Sequence, residues 1–267
     1  DDASGLAIAD KLRTQVTSIN QGISNGNSAI ALLQITDKSM AEQSKILDTI
    51  KSKLIQANTD TTSTAGRTAI AKDVTKLLQQ LNNIGEQTNY NGTTLLQASR
   101  TTADASKEAN LTAARSAKGG LSFQIGEGTA DLITTRTINS NVAGLKLSAL
   151  AKAVRSGAKV SAGATAGTTG VFTRTMAQSG QKAIDKAITT LNGYRGDIGS
   201  TQNQVESAVR NLMTQSTNIK AAESVIRDVD YAEESANFNK LNIISQAGSY
   251  AISQSNAVSQ NVLRLLQ

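Results

Sequence analysis

The sequence of 267 residues contains no cysteine, histidine, proline or tryptophan, and only three phenylalanines and four tyrosines. Without cysteine the chain can form neither a disulfide nor a thiolate site. Without histidine it lacks the commonest metal ligand and the commonest general base. A compact domain of this size normally draws more core volume from aromatic side chains, whereas long packed helices can do without them. The composition therefore favours an elongated helical protein, with no cofactor and no catalytic role.

The charge pattern gives no sign of a nucleic-acid or membrane partner. The net charge is +6 and the pI is about 9.5, but lysine and arginine are dispersed and no basic run alternates with aromatics, which favours a solvated surface. No stretch comes near the ~20 apolar residues that span a bilayer. The opening residues Asp1 to Gly5 do not form a signal peptide, so any export needs a route without a cleaved leader.

Apolar residues at intervals of three, four and seven predict long helices at both ends of the chain. We expect helices from about Ser4 to Ala57, from about Ala65 to Thr88, and from about Ser179 to Arg227. The absence of proline leaves these stripes uninterrupted. The residues predicted to pack along the rod are Leu12, Val16, Ile19, Ile23, Leu33, Leu47, Leu77, Leu81, Ile198, Val205, Leu212 and Ile219.

The segments between these helices predict turns, a hairpin and loops. The polar run 58–63 and the Asn-Gly turn at 89–92 end the first two helices. Alternating residues on either side of Gly126 to Gly128 predict a β-hairpin over 121–138. Residues 98–120 indicate an exposed loop or a loose helix. Residues 155–170 have almost nothing to bury and indicate a surface loop or a deletion scar.

Three glycines and one acidic cluster each admit two interpretations. Gly193, Gly196 and Gly199 either kink the long helix or let a neighbouring backbone come close; the unbroken apolar register favours close packing. The acidic cluster suggests either a metal site or a solvated joint between rod and tail, and mutual repulsion favours the extended joint. It comprises Asp228, Asp230, Glu233 and Glu234.

A second apolar stripe predicts a terminal helix that ends the chain. It begins at Leu241 and reaches Leu265, with only Arg264 charged near the C-terminus. The aromatic residues Tyr231, Phe238 and Tyr250 are better explained as packing anchors than as a platform for bases. The predicted fold is mainly α: an elongated antiparallel helix bundle or coiled coil with a small β-hairpin region at its outer end.

Six motifs, in order along nearly the whole chain, resemble those of bacterial flagellin. Residues 98–120 and 150–178 lie outside the resemblance. The motifs are Asp1-Asp2-Ala3-Ser4-Gly5-Leu6-Ala7-Ile8-Ala9-Asp10-Lys11-Leu12-Arg13, Gln87-Thr88-Asn89-Tyr90-Asn91-Gly92, Phe123-Gln124-Ile125-Gly126, Gly199-Ser200-Thr201-Gln202-Asn203-Gln204, Ile226-Arg227-Asp228-Val229-Asp230-Tyr231-Ala232 and Gln260-Asn261-Val262-Leu263-Arg264-Leu265-Leu266-Gln267.

The resemblance implies a domain organisation. Residues 1–98 and 179–227 correspond to the inner rod domain, and 99–150 to an exposed loop with the hairpin. Residues 151–178 form a short Gly/Ala/Ser/Thr-rich connection in place of large outer domains. Residues 228–267 correspond to the C-terminal half of the terminal, channel-lining domain. The N-terminal helix of that domain would precede residue 1, so the resemblance leads us to expect a chain trimmed there.

The resemblance also implies function, location and partners. The expected protein is a structural subunit of the flagellar filament, exported through the flagellar type III secretion channel and located outside the cell. Its expected partners are copies of itself, an export chaperone on its C-terminal tail, and the filament cap and hook-junction proteins. The residues expected to serve assembly and chaperone binding are Phe238, Leu241, Ile244, Ala247, Ala251, Val258, Val262, Leu263, Leu265 and Leu266.

Three positions align with contacts of the flagellin-sensing Toll-like receptor. Family members that this receptor recognises carry Arg, Leu and Glu where this chain has Thr49, Lys53 and Gln80. Lys53 would place a charge where an apolar contact is made. We therefore expect weak or absent activation of the receptor.

Two other functions compete with the filament subunit. A hook–filament junction protein shares the terminal pattern, but the hairpin motif and the C-terminal ending favour flagellin. A coiled-coil secretion adaptor would explain the apolar stripes but not the six ordered motifs.

Overall fold

The computed structural model describes residues 2–98, 111, 116–161, 163–165 and 168–266, without the side chains of Asp2 and Asp230. Its helices and strands confirm the mainly α fold with a small hairpin. In chain order they are α1 (Asp2–Ala57), α2 (Thr64–Gln87), β1 (Asn89–Tyr90), β2 (Thr93–Thr94), β3 (Ser122–Gln124), β4 (Leu132–Thr134), α3 (Ser148–Ala158) and α4 (Arg174–Leu265).

The polar run after α1 ends that helix and caps the next, as predicted. Arg67 donates from Nε to the carbonyl of Ala57 over 2.8 Å and from Nη2 to that of Thr59 over 2.9 Å. The bond to Ala57 satisfies an acceptor at the end of α1 that has no partner inside the helix, and the bond to Thr59 ties α2 to the turn that follows α1. At the start of α2, the Ser63 hydroxyl accepts from the Gly66 amide over 3.0 Å, which is the usual N-cap arrangement.

Both predicted turns are confirmed. β1 and β2 pair antiparallel across Asn91 and Gly92, whose φ angles of 50° and 80° lie in the left-handed region that Asn-Gly turns require. β3 and β4 form the predicted hairpin, with Phe123 opposite Ile133. Asn25 of α1 donates from Nδ2 to the Gln124 carbonyl over 2.9 Å, and this bond holds β3 beside α1.

The segment predicted as a loop with almost nothing to bury is partly helical and partly core. α3 ends only at Ala158 and packs on α2. Gly157 is buried, and a Cβ added there would lie 2.7 Å from Cβ of Phe172, which is itself fully buried. The prediction is wrong because small residues do have a packing role here: the lack of a side chain at Gly157 lets a short helix approach the aromatic ring of Phe172.

α4 is one uninterrupted helix, so the predicted extended joint at the acidic cluster is wrong. Asp228 accepts from the Ser224 hydroxyl over 3.0 Å, and Arg227 pairs with Glu223. Repulsion between exposed like charges one turn apart is worth only a few tenths of a kcal/mol, too little to interrupt a helix. The predicted rod helix and terminal helix are therefore parts of a single element.

The three glycines of α4 do not lie under a neighbouring backbone within this chain. A Cβ added at Gly193, Gly196 or Gly199 meets no described atom within 4 Å. The favoured prediction of close packing is therefore wrong for contacts inside the chain.

The chain divides into two compact units. One comprises Gly22–Arg210, and the other Asp1–Gln21 with Asn211–Gln267. The first holds most of the core, including Leu33, Met40, Leu47, Leu78 and Leu81. In the second, buried side chains of α1 and α4 meet, and the Ser216 hydroxyl donates to Asn20 Oδ1 over 3.2 Å. None of the described helices is apolar over a length that could cross a membrane.

Candidate assembly interface

The last part of α4 has an uncovered apolar face. Burial along α4 falls away after Ile226, and every described side chain from Arg227 to Leu266 is exposed. We define the tail surface as the exposed apolar side chains of α4 from Phe238 onward. Its large members, with 49–87% of the side-chain surface exposed, are Phe238, Leu241, Ile243, Ile244, Tyr250, Ile252, Val258, Val262, Leu263, Leu265 and Leu266.

The tail surface has the physical character of a binding surface. Folded chains seldom expose so many large apolar side chains on one element, and extended apolar patches mark interaction sites. All ten residues predicted for assembly and chaperone binding lie on it or between its members. Ile243 and Ile252 are equally exposed but lie off the predicted stripe, so the apolar surface is wider than the heptad spacing indicated.

Most residues predicted to pack the rod are in the core. Leu12, Ile23, Leu77 and Ile219 are half-buried. In α2, Leu78 is fully buried, whereas its predicted neighbour Leu77 is only half-buried. The buried members of the predicted set are Val16, Ile19, Leu33, Leu47, Leu81, Ile198, Val205 and Leu212.

A buried amide network holds α1, α2 and the turn before α3 together. Gln43 of α1 donates from Nε2 to the carbonyls of Leu81 and Ser140 over 3.1 and 2.7 Å. Asn82 Oδ1 accepts from the Val142 amide over 2.8 Å. Asn141 donates to Gln97 Oε1 over 3.0 Å. The sequence analysis missed this network, although Gln43 lies three residues after Met40 and four before Leu47 in the apolar register.

Ion pairs tie α4 to α1 at the flank of the rod. Arg195 donates from Nε to Asp37 Oδ1 over 2.9 Å, with each side chain about one-third exposed. This hydrogen bond raises the pKa of Arg195, against the opposing effect of partial burial. Lys51 pairs with Asp185 over 2.6 Å. Both pairs cross from α4 to α1, and partly exposed pairs of this kind add modest stability to the packed helices.

The three positions aligned with receptor contacts lie at the surface of α1 and α2. Thr49 is exposed, and its hydroxyl donates to the Lys45 carbonyl over 2.9 Å. Lys53 follows one turn later and pairs with Asp73 of α2 over 3.1 Å. Gln80 is exposed on α2. The Lys53 ammonium is thus held at the surface by a partner on the neighbouring helix.

Comparison with protein families finds two matching profiles, one at each end of the chain. The profile described as the bacterial flagellin N-terminal helical region matches residues 1–101. The profile described as the bacterial flagellin C-terminal helical region matches residues 181–266.

Comparison with curated proteins finds relatives aligned over the whole chain. A flagellin from Bacillus subtilis is 31% identical, with the alignment covering 100% of this chain and 87% of that protein. Flagellin A from Helicobacter pylori is 27% identical, covering 100% of this chain and 92% of that protein.

Comparison with solved structures finds the same kind of fold. A crystal structure of Bacillus cereus flagellin matches with a TM-score of 0.50 at 22% identity, covering 75% of this chain and 94% of that one. A structure described as a flagellar hook-associated protein from Vibrio parahaemolyticus matches with a TM-score of 0.64 at 12% identity, covering 81% and 94%. At these identities the likeness concerns the fold alone, and it does not separate a filament subunit from a junction protein.

Proposed function

This chain belongs to the bacterial flagellin family, and we propose from that premise that the tail surface of α4 is the surface by which it assembles. Members of the family are filament subunits. The chain is accordingly a structural protein of the extracellular flagellar filament, polymerises with copies of itself for motility, and is not an enzyme.

The exposed apolar side chains of the tail surface carry this proposal. Burying a Leu, Ile or Val side chain stabilises a complex by about 1.5–3 kcal/mol. Leu241, Ile244, Val258 and Leu265 are 53–87% exposed in the single chain. Several such burials can offset the loss of translational and rotational freedom when a subunit joins a polymer, which costs at least about 4 kcal/mol. Neighbouring subunits are the proposed occupants of the surface.

The domain organisation is part of the same proposal. Residues 1–98 and 179–227 would form the inner rod together with the hairpin of 121–138, and 228–267 would line the channel. Side chains of α4 are buried or half-buried at intervals up to Ile226, and the described side chains beyond it are exposed. This change supports a boundary between the two domains near residue 227. The connection at 151–178 takes the place of large outer domains and includes the end of α3 and the buried Phe172.

Seeded growth tests the assembly role of the tail surface. Natural full-length protein would be added to short filament seeds and growth followed by electron microscopy. Ile244→Asp should stop or strongly slow elongation, because a desolvated carboxylate in an apolar contact is unfavourable. Asn242→Asp adds the same charge two residues earlier, outside the apolar set, and should grow at nearly the parent rate. Equal growth of both variants would exclude the tail surface as the assembly surface.

We also propose that an export chaperone covers the tail surface before assembly, since type III export of a filament subunit requires it to stay unpolymerised. The same apolar residues would serve both partners, so the two should compete. A chaperone from the same bacterium should block seeded growth at equimolar amounts, and Ile244→Asp should weaken its binding more than Asn242→Asp. The filament cap and hook-junction proteins are proposed to meet the subunits at the two ends of the filament.

A third part of the proposal is weak activation of the flagellin-sensing Toll-like receptor. The support lies in Lys53, whose ammonium is exposed at the surface of α1 and paired with Asp73. A receptor that makes an apolar contact there would have to break this pair and desolvate the charge. Thr49 and Gln80 likewise lack the charged groups that the resemblance assigns to recognised flagellins.

A further inference from the structure

An open groove with lysines along it lies between the start of α4 and the turn that precedes α3. Its volume is about 760 Å³. Its lining includes the half-buried Ala183, the almost fully buried Leu145, and the exposed hydroxyls of Ser179, Thr189 and Thr190. Lys146 lines the turn side, and Lys182 and Lys186 follow each other by one helical turn on α4.

The three lysines give the groove an unbalanced positive charge. Among the described residues that line it, Asp185 is the only carboxylate, and it pairs with Lys51 Nζ over 2.6 Å. Within the part of the chain that the structure describes, no carboxylate lies within ion-pair distance of Lys146, Lys182 or Lys186. The groove therefore presents three ammonium groups that a negatively charged group of another molecule could bind.

Lys146 occupies a backbone position that glycine usually takes. Its φ is 62°. The Leu147 amide bonds to the Val142 carbonyl over 2.8 Å, and the Lys146 amide to that of Ala143 over 3.1 Å. These two bonds form the Schellman arrangement, in which glycine is the common residue because a side chain costs about 1 kcal/mol there. A lysine at this position contributes its charge to the groove in spite of that cost.

A complementary surface lies on the hairpin. No lysine or arginine occurs from Leu121 to Thr135, while the turn between β3 and β4 carries Glu127 and Asp131. Asp131 accepts from the Gly128 amide over 2.9 Å, which fixes the turn. Glu127 is exposed, and Leu132 beside the turn leaves 46% of its surface exposed. The turn thus combines two negative charges with one apolar side chain.

We propose that the lysine groove receives the β3–β4 turn of a second copy of this chain. The inference rests on the proposed self-assembly, and it adds a second contact far in sequence from the tail surface. A helical polymer requires heterologous contacts, in which two different patches of each subunit complement each other. The groove and the turn are such a pair in charge, and the exposed Leu132 could pack on the half-buried Ala183.

The acidic residues of α4 fit the groove less well. Asp228, Glu233 and Glu234 lie on a continuous helix, and a helix with its side chains is about 10–12 Å wide. The groove has the volume of a small-ligand site, which spans roughly 300–1,000 Å³. A tight turn of a few residues can enter such a space, whereas a helix can only lie across it.

Crosslinking between separate variants tests this contact. Residues 1–267 contain no cysteine, so each introduced thiol is unique within this sequence. Glu127→Cys and Lys182→Cys would be made in separate full-length chains, copolymerised on seeds, and treated with a short bis-maleimide. Any peptide joining the two positions must come from two copies. We expect this product in filaments and not in unpolymerised protein. Lys152→Cys, exposed on α3, replaces Lys182→Cys as the matched control and should give none.

Filament formation is checked by electron microscopy before crosslinks are analysed. This order separates a failure of the assembly proposal from a failure of the groove contact. If the parent protein fails to grow on seeds, the assembly proposal fails and the groove contact falls with it. If filaments form but the Glu127–Lys182 product is no more abundant than the Lys152 control, the groove contact alone is wrong. A product joining Lys182→Cys to Glu233→Cys in place of Glu127→Cys would also overturn it.

A charge exchange measures what the contact contributes. Lys182→Glu and Glu127→Lys should each raise the critical concentration for growth by about threefold, as expected for one partly exposed ion pair. The double variant should recover most of the loss. High salt should reduce the difference between parent and single variants, since screening weakens such pairs. Independent, additive effects of the two substitutions would contradict a direct contact.

Discussion

Gly26 of α1 lies directly against the side chain of Val209 of α4. A Cβ added at Gly26 would clash with Val209 Cγ2, and Ile125 from the hairpin lies within 3.6 Å of the same point. Gly26→Ala gains about 1 kcal/mol of helix propensity but forces overpacking that costs about 1–3 kcal/mol. We expect a net loss of stability of up to about 2 kcal/mol, measured by urea unfolding of the monomer.

Gly193 provides the matched control for this substitution. It too lies inside a helix, but a Cβ there meets no described atom within 4 Å. Gly193→Ala should therefore stabilise the monomer by about 0.5–1 kcal/mol. If both substitutions changed the free energy of unfolding in the same direction, the close approach at Gly26 would be wrong.

Replacing Gln43 should expose the role of the buried amide network. Gln43→Met keeps the volume but removes the donor that serves the Ser140 carbonyl. A buried acceptor without a partner costs about 1–3 kcal/mol. The substitution also removes Gln43 Oε1, which is buried with no partner among the described residues, so we expect a loss near the lower end, about 1 kcal/mol, by urea unfolding. Gln34→Met, on the exposed side of α1, should change stability by less than about 0.5 kcal/mol.

Elements with a strong sequence pattern were predicted correctly, and elements with a weak pattern were not. Long apolar periodicity predicts α1 and α2 within a few residues, and Asn-Gly predicts the turn at Asn91 because few other residues tolerate its backbone angles. α3 was missed because it has only eleven residues. Its buried residues include Ala151 and Gly157, which carry little hydrophobic signal.

The candidate site was predicted in part, and the limits have physical causes. The apolar stripe from Leu241 to Leu265 could be predicted because its residues follow the same helical spacing as apolar residues in a core. The same spacing cannot distinguish a side chain in the core from one awaiting a neighbour. The lysine groove could not be foreseen, because Lys146 and Lys182 are brought together only by the packing of the turn onto α4.

The ion pair between Arg195 and Asp37 should contribute modestly to stability. Arg195→Met should lower the free energy of unfolding by about 0.5–1 kcal/mol. Arg136→Met should lower it less, because Arg136, paired with Asp197, is 79% exposed. Because the pKa of Arg195 is raised above that of an ordinary arginine, its contribution is complete below the ordinary pKa, and it is lost only as the pH rises through the folded pKa. The loss should thus be equal at about pH 6 and pH 9; a difference there would contradict this account.

Restoring the residues of recognised flagellins should restore receptor activation. The triple variant Thr49→Arg, Lys53→Leu, Gln80→Glu should activate a Toll-like receptor reporter cell line at least about tenfold more strongly than the parent, corresponding to about 1.4 kcal/mol of binding. The loss of the exposed Lys53–Asp73 pair should cost little stability, which circular dichroism would verify. Full potency of the parent protein would contradict the proposed weak recognition.

The most direct test of the central claim is hydrogen exchange of the tail in two states. Amide exchange would be followed by mass spectrometry in monomer and in filament, with residues 191–212 as an internal reference that is packed in both. We expect residues 238–266 to exchange rapidly in the monomer, because a helical segment without tertiary packing opens easily, and to become strongly protected in the filament. Equal protection of this segment in the two states would contradict assembly through the tail surface.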